Sequence, residues 1–179
     1  EGAIKGYEFI HDTLANTSSV VKGEPFNSEN YSKVCAENLN FVGSYNLQLY
    51  KLIRGHNDVA CHYVSNKVNY DTDYTIYSGN VANNAVVSAS GLFGSKMKNT
   101  EGDINYAEVF MQDYAEINIV NNPKVQAGET SKALIIKDSF ANAVNLLVAE
   151  NFAHTSILDI RYYNEMTIEQ YIKTHGFDT

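Results

Sequence analysis

Residues 133–160 read ALIIKDSFANAVNLLVAENFAHTSILDI. Ala133–Ile136 is a short apolar run of strand length, and Lys137-Asp138-Ser139-Phe140 makes a polar turn. Ala141–Phe152 carries Ala143, Val144, Leu147 and Val148 at helical spacing, and Ser156–Ile160 is a second apolar strand. Two strands joined by a crossover of this length run parallel, with a right-handed connection. This unit predicts an α/β domain and puts Ser139 at the carboxyl end of a strand, the edge where open α/β sheets hold their ligands.

The rest of the chain fits the same class. Glu1–Ala15 predicts a helix through Ile4, Tyr7, Ile10 and Leu14. Ser28 suggests a cap for a short helix running to Leu39. Phe41–Ile53 leaves strand and helix both open. Asp58–Ser65 and Tyr74–Tyr77 read as strands, Asn105–Gln112 as weakly helical, and Tyr114–Val120 as an alternating strand ended by Asn121-Asn122-Pro123. Thr167 caps a last helix, Ile168–His175, closed by Gly176. The stretch 80–104 is rich in Asn, Ser and Gly and predicts an irregular excursion over the surface. The whole of 1–179 therefore reads as part of one domain.

The 179 residues are 44% apolar with a net charge of -8. That supports a sizeable core and disfavours nonspecific binding to nucleic acid or anionic membranes. No apolar run approaches the length of a membrane span. Cys35 and Cys61 form no metal-ligand pattern with histidine. Two buried thiols are the expected state, and a single disulfide is the alternative.

Ser139 stands where backbone N–H groups at a helix entry can receive an oxyanion, which suits a nucleophilic serine. Its structural alternative is a helix cap made by Asp138 or Ser139. A serine nucleophile needs a base, and none of His11, His56, His62, His154 and His175 is well placed. His154 falls on the wrong edge, His62 lies among aromatics, and His56 beside Asp58 reads as a surface loop pair. Asp159 and Arg161 end the second strand on the edge of Ser139, as an ion pair or a receptor for an anionic group. Asn121 follows a strand expected to end on that edge.

Several segments resemble the DHHW protein family. They are Ala133–Ala143 with Ile157–Tyr163, Phe41–Asn46, Tyr74–Asn80, and Asp113–Ala115 followed by Asn121. The similarity is most specific over Lys137–Asn142 and loose between Asn80 and Asn105. The family is related to SGNH-type hydrolases and to bacterial proteins that O-acetylate exopolysaccharides such as alginate. The resemblance implies a flavodoxin-like, SGNH-type three-layer sandwich with a parallel sheet and an extracytoplasmic (secreted or cell-surface) setting. Ser139 matches the nucleophile, with Asp138 bracing the turn. Phe140 N–H and Asn121 would hold the oxyanion, although Ile119 and Val120 stand where the family has glycines.

The Asp-His-His-Trp motif that would supply Asp and His is absent. Glu1–Tyr7 resembles the residues just after it, so the chain reads as an incomplete domain beginning downstream of that motif and stopping before a final parallel strand. The expected function is an SGNH-like serine esterase or O-acetyltransferase acting on acetylated polysaccharide, with no metal or organic cofactor and with a membrane-bound acetyl donor as a conceivable partner. A noncatalytic secreted domain that binds glycan or assembles at the envelope, with Ser139 as a cap, is the rival.

Overall fold

The computed structural model describes residues 2–21, 25–43, 47–49, 58–78, 85–87, 101–111 and 113–179. Helix α1 (Gly2–Thr17) is amphipathic and buries Ile4, Tyr7 and Leu14. A single 3₁₀ turn at Ser28–Asn30, capped by Asn27, leads into β1 (Tyr31–Phe41). The helix expected from Ser28 to Leu39 is thus a strand. Its partner is β2 (Asp58–Ser65), antiparallel and remote in sequence. A ladder with a distant segment overrides what a local cap suggests.

A four-residue helix α2 (Tyr70–Asp73) precedes β3 (Tyr74–Ser78), which pairs with the short β4 (Ala85–Val87). Strand β5 (Asp103–Ile104) adds to β1, and the capping box of Asn105 and Glu108 starts α3 (Tyr106–Val109). Strand β6 (Glu116–Asn121) is followed directly by α4 (Asn122–Gln126), with Pro123 at its start. Then come β7 (Lys132–Lys137), a 3₁₀ segment Ser139–Ala143, α5 (Asn145–Ala149) and β8 (His154–Asp159). Helix α6 (Ile168–His175) closes with Thr167 as cap and Gly176 in a positive-φ conformation, as predicted.

Five strands form one sheet in the order β4-β3-β6-β8-β7, and β2-β1-β5 form a second. The predicted parallel pair is present, with Lys132 opposite His154 and Lys137 opposite Asp159. The other described ladders of the larger sheet are antiparallel. Ile117, Ile119 and Ile157 face α5 through Leu146 and Ala149. Glu116, on the opposite pleat, accepts a 2.6 Å hydrogen bond from Tyr171 of α6. Helices therefore cover both faces, the three-layer α/β arrangement that the family resemblance implies. Helix α1 packs over α5 in a second cluster of Tyr7, Leu147, Val148 and Phe152. Asp178 N–H donates to Lys132 O, and Leu134 N–H to Thr179 O, so the last residues lie along the outer edge of β7. Most of the expected excursion over 80–104, and most of Phe41–Ile53, lies outside the described residues.

Cys35 and Cys61 form a disulfide. The expectation of two thiols is corrected by the β1–β2 register, which sets the two residues directly opposite with Cα atoms 4.1 Å apart. The bond closes a loop with a sequence separation of 26 residues. Closing a loop of that length restricts the unfolded chain by about 3–4 kcal/mol. Reduction, or a Cys35→Ala/Cys61→Ala double variant, is expected to lower unfolding stability by about that amount, measured by urea titration with and without reductant.

Candidate active site

Strand β7 delivers Lys137 and Asp138 to the carboxyl rim of the sheet. The Asp138 side chain caps the 3₁₀ segment, accepting from Phe140 N–H at 2.9 Å. The bracing role expected of Asp138 is therefore present. Its consequence is that Phe140 N–H is occupied, so this amide is not presented to an oxyanion. Ser139 is half-buried, and among the described residues its hydroxyl has no hydrogen-bond partner. Ser139 does not itself make the cap. Phe140 is 85% exposed, and its carbonyl accepts from Tyr106 Oη at 3.2 Å.

Under this turn lies a charge cluster that the sequence reading only half anticipated. Asp159 and Arg161 form the expected pair, with Nε to Oδ1 at 2.9 Å and Nη2 to Oδ2 at 2.6 Å. Lys137 joins them from β7, its Nζ 3.0 Å from Asp159 Oδ2 and 3.3 Å from Asp113 Oδ1. Asp113 also receives Arg161 Nη2 at 3.0 Å and Asn142 Nδ2 at 3.1 Å. The Lys137 and Asp159 side chains are 1% and 0% exposed. The Arg161 hydrogen bonds hold the Asp159 carboxyl well below the usual carboxylate range; burial opposes this, and Lys137 adds to the lowering. One carboxylate, Asp113, thus ties the residue two before Ser139 to the residue three after it. The available signal for Lys137 was a lysine ending an otherwise apolar strand. Asp113 carried no local signal.

Beside the turn is a groove of about 560 Å³, lined by Gly2, Ala3, Tyr63, Tyr106, Phe140 and Val144 among others. It brings the amino end of α1 next to the Ser139 segment. No described histidine lines it. His62 is partly buried in β2, and burial lowers its pKa. His175 stacks on Tyr171, and His11 packs against Tyr7 and Phe26. His154 begins β8, at the other end of the strand from Asp159, as expected. His56 lies outside the described residues.

Asn121 is not on this rim. Strand β6 is antiparallel to β8, so Val120 pairs with His154 while Glu116 pairs with Leu158. The carboxyl end of β6 therefore meets the amino ends of β7 and β8, a strand length of about 16 Å from the Lys137 end that leads into Ser139. There Asn121 caps α4 and donates to Tyr74 Oη at 3.1 Å. An oxyanion role with Ser139 is excluded by that geometry.

The Asn121 rim holds a half-buried carboxylate, Glu150, that carried no signal in the sequence. Its carboxylate accepts from Tyr70 Oη and from Tyr31 Oη, the latter at 3.3 Å. Burial pushes its pKa up to about 7 despite those hydrogen bonds.

No family model and no curated protein matches the sequence. Several solved structures are similar to it. Bacillus cereus PatB1 shares 35% identity at a TM-score of 0.80, over 99% of this chain and 56% of that one. Bacillus cereus PatB1 with a sulfonyl adduct shares 31% at 0.77, over 99% and 54%. A DHHW family protein from Eubacterium siraeum shares 20% at 0.62, over 98% and 53%. The chain spans about half the length of each. The DHHW resemblance read from the sequence is matched by a DHHW family structure of the same fold.

Two outcomes follow for stability. Asp159→Asn, which leaves Lys137 buried with only the partly exposed Asp113, is expected to cost about 3–5 kcal/mol in urea unfolding, and the 40%-exposed Arg161→Ala far less. The folded pKa of Glu150 lies above its ordinary value of 4.5, so its stabilising contribution is complete below that pH and is lost as pH rises through about 7. Glu150→Gln is expected to flatten that part of the stability–pH curve.

Proposed function

We propose that this chain carries the nucleophile half of a serine esterase or O-acyltransferase site that acts on acetylated extracellular polysaccharide, with Ser139 as the attacking residue. The observation that supports it most is a hydroxyl without a partner among the described residues, on a turn held from both sides by buried polar contacts. A nucleophile is useful only when its position is fixed before reaction. A sulfonyl adduct is what remains when a nucleophilic side chain displaces the leaving group of a sulfonyl reagent, and such an adduct is recorded for PatB1.

Ser139 Oγ would attack the ester carbonyl while a base takes its proton. Collapse of the tetrahedral intermediate would expel the alcohol, which recovers that proton and leaves an acyl-serine. Attack by water on this acyl-serine gives hydrolysis, and attack by a glycan hydroxyl gives transfer. The base would be a histidine from sequence outside these 179 residues, reaching the turn past the amino end of α1. With Asn121 remote and Phe140 N–H engaged, the oxyanion donors would be the Ser139 amide and groups from that same outside segment. Lys137 and Arg161, neutralised by Asp113 and Asp159, would hold the floor rather than bind substrate.

The setting would be extracytoplasmic, where a disulfide such as Cys35–Cys61 persists. No helix among the described residues is long and apolar enough to cross a membrane. One observation favours the noncatalytic rival: the amide after Ser139 already has a protein partner.

The test is a full-length protein treated with a sulfonyl fluoride and assayed on a chromogenic acetyl ester. Ser139→Ala is expected to abolish both the mass addition at the turn and turnover, by roughly a thousandfold or more. Stability should change by less than about 1 kcal/mol, because Asp138 and not Ser139 supplies the cap. Retained turnover would remove Ser139 from the mechanism.

A further inference from the structure

The rim opposite Ser139 contains a cavity of about 520 Å³ beside Glu150. Its wall includes Phe26, Tyr31, Asn30, Lys67, Lys124 and Glu150. Phe26 and Tyr31 are half-buried and stacked, with ring planes 12° apart and centroids at 5.7 Å. Tyr7 closes the base of this aromatic wall, edge-on to both rings. Polar groups converge next to it. Glu150 accepts from Tyr31 and Tyr70, and Asn151 donates to Tyr7 Oη at 3.0 Å.

The charges in this cavity are balanced. Lys124 is paired with Glu129 at 3.0 Å, and Lys67 acts on Glu150. A site for an anion would carry surplus cations, and a site for an ammonium would exclude lysine from its wall. What remains is a flat aromatic surface beside carboxylate, amide and ammonium groups that can accept from and donate to hydroxyls. A pyranose has that complement, with an apolar C–H face and a rim of hydroxyls.

We propose that the Phe26–Tyr31–Glu150 cavity is a binding subsite for a neutral pyranose unit of a glycan chain, on the opposite rim of the sheet from Ser139. It uses none of the residues of the Ser139 site and stands or falls separately from the acyl-transfer reading. If both hold, a glycan chain is gripped at one rim and modified at the other.

The experiment is isothermal titration of the full-length protein with cellotetraose and with the tetramer of N-acetylglucosamine, followed by deuterium exchange of the complex. At least one of the two is expected to bind with Kd near or below ~1 mM and to protect the segment containing Phe26 and Tyr31. In protein that remains folded, Phe26→Ala should weaken that binding about tenfold or more. Absence of binding to both sugars, protection confined to residues 137–143, or tighter binding of a glucuronic acid tetramer would each overturn the assignment. The protection measurement needs no variant, so it decides the matter even if Phe26→Ala does not fold.

Discussion

A lysine ammonium buried at the end of a strand is the constraint around which the carboxyl rim is organised. Lys137 is 1% exposed, and an isolated charge there would carry a desolvation cost of several kcal/mol. The fold answers with two carboxylates, Asp159 from the neighbouring strand and Asp113 from the loop before β6. Those carboxylates then require partners of their own, and Arg161 and Asn142 fill the remaining positions. The Ser139 turn rests on this cluster. Its shape follows from the need to satisfy buried charge, with Asp138 adding the local cap.

The sheet has two ends with different chemistry. At the carboxyl end of β7 and β8 the buried ion cluster supports one exposed turn and an apolar groove. At the other end Glu150 is held by tyrosine hydroxyls, near Asn121 and the stacked Phe26 and Tyr31. The antiparallel pairing of β6 with β8 separates them, since it sends the carboxyl end of β6 away from Ser139. A fully parallel sheet would have brought Asn121 and Ser139 to the same edge.

The smaller sheet depends on a different constraint. Strand β1 buries little, mainly Ala36 and Leu39, and has several exposed positions in a row. A strand with so little core needs help, and the Cys35–Cys61 bond joins it to β2 at the point where the register sets the two residues face to face. Tyr31 then carries β1 across to Tyr7 and Glu150, and so ties the small sheet to the larger one.

The sequence by itself determined what short-range chemistry controls. The Ala133–Ile160 unit, the Thr167 and Gly176 ends of the last helix, the Asp138 brace and the Asp159–Arg161 pair all involve residues within a few positions, or one crossover, of each other. Their patterns are visible in a line of letters. Tertiary structure alone decided the strand at 31–41, the disulfide, the direction of β6, the place of Asn121 and the partners of Lys137 and Glu150. Each of these depends on pairing between segments tens of residues apart, where register and strand direction, and not local propensity, set which side chains meet.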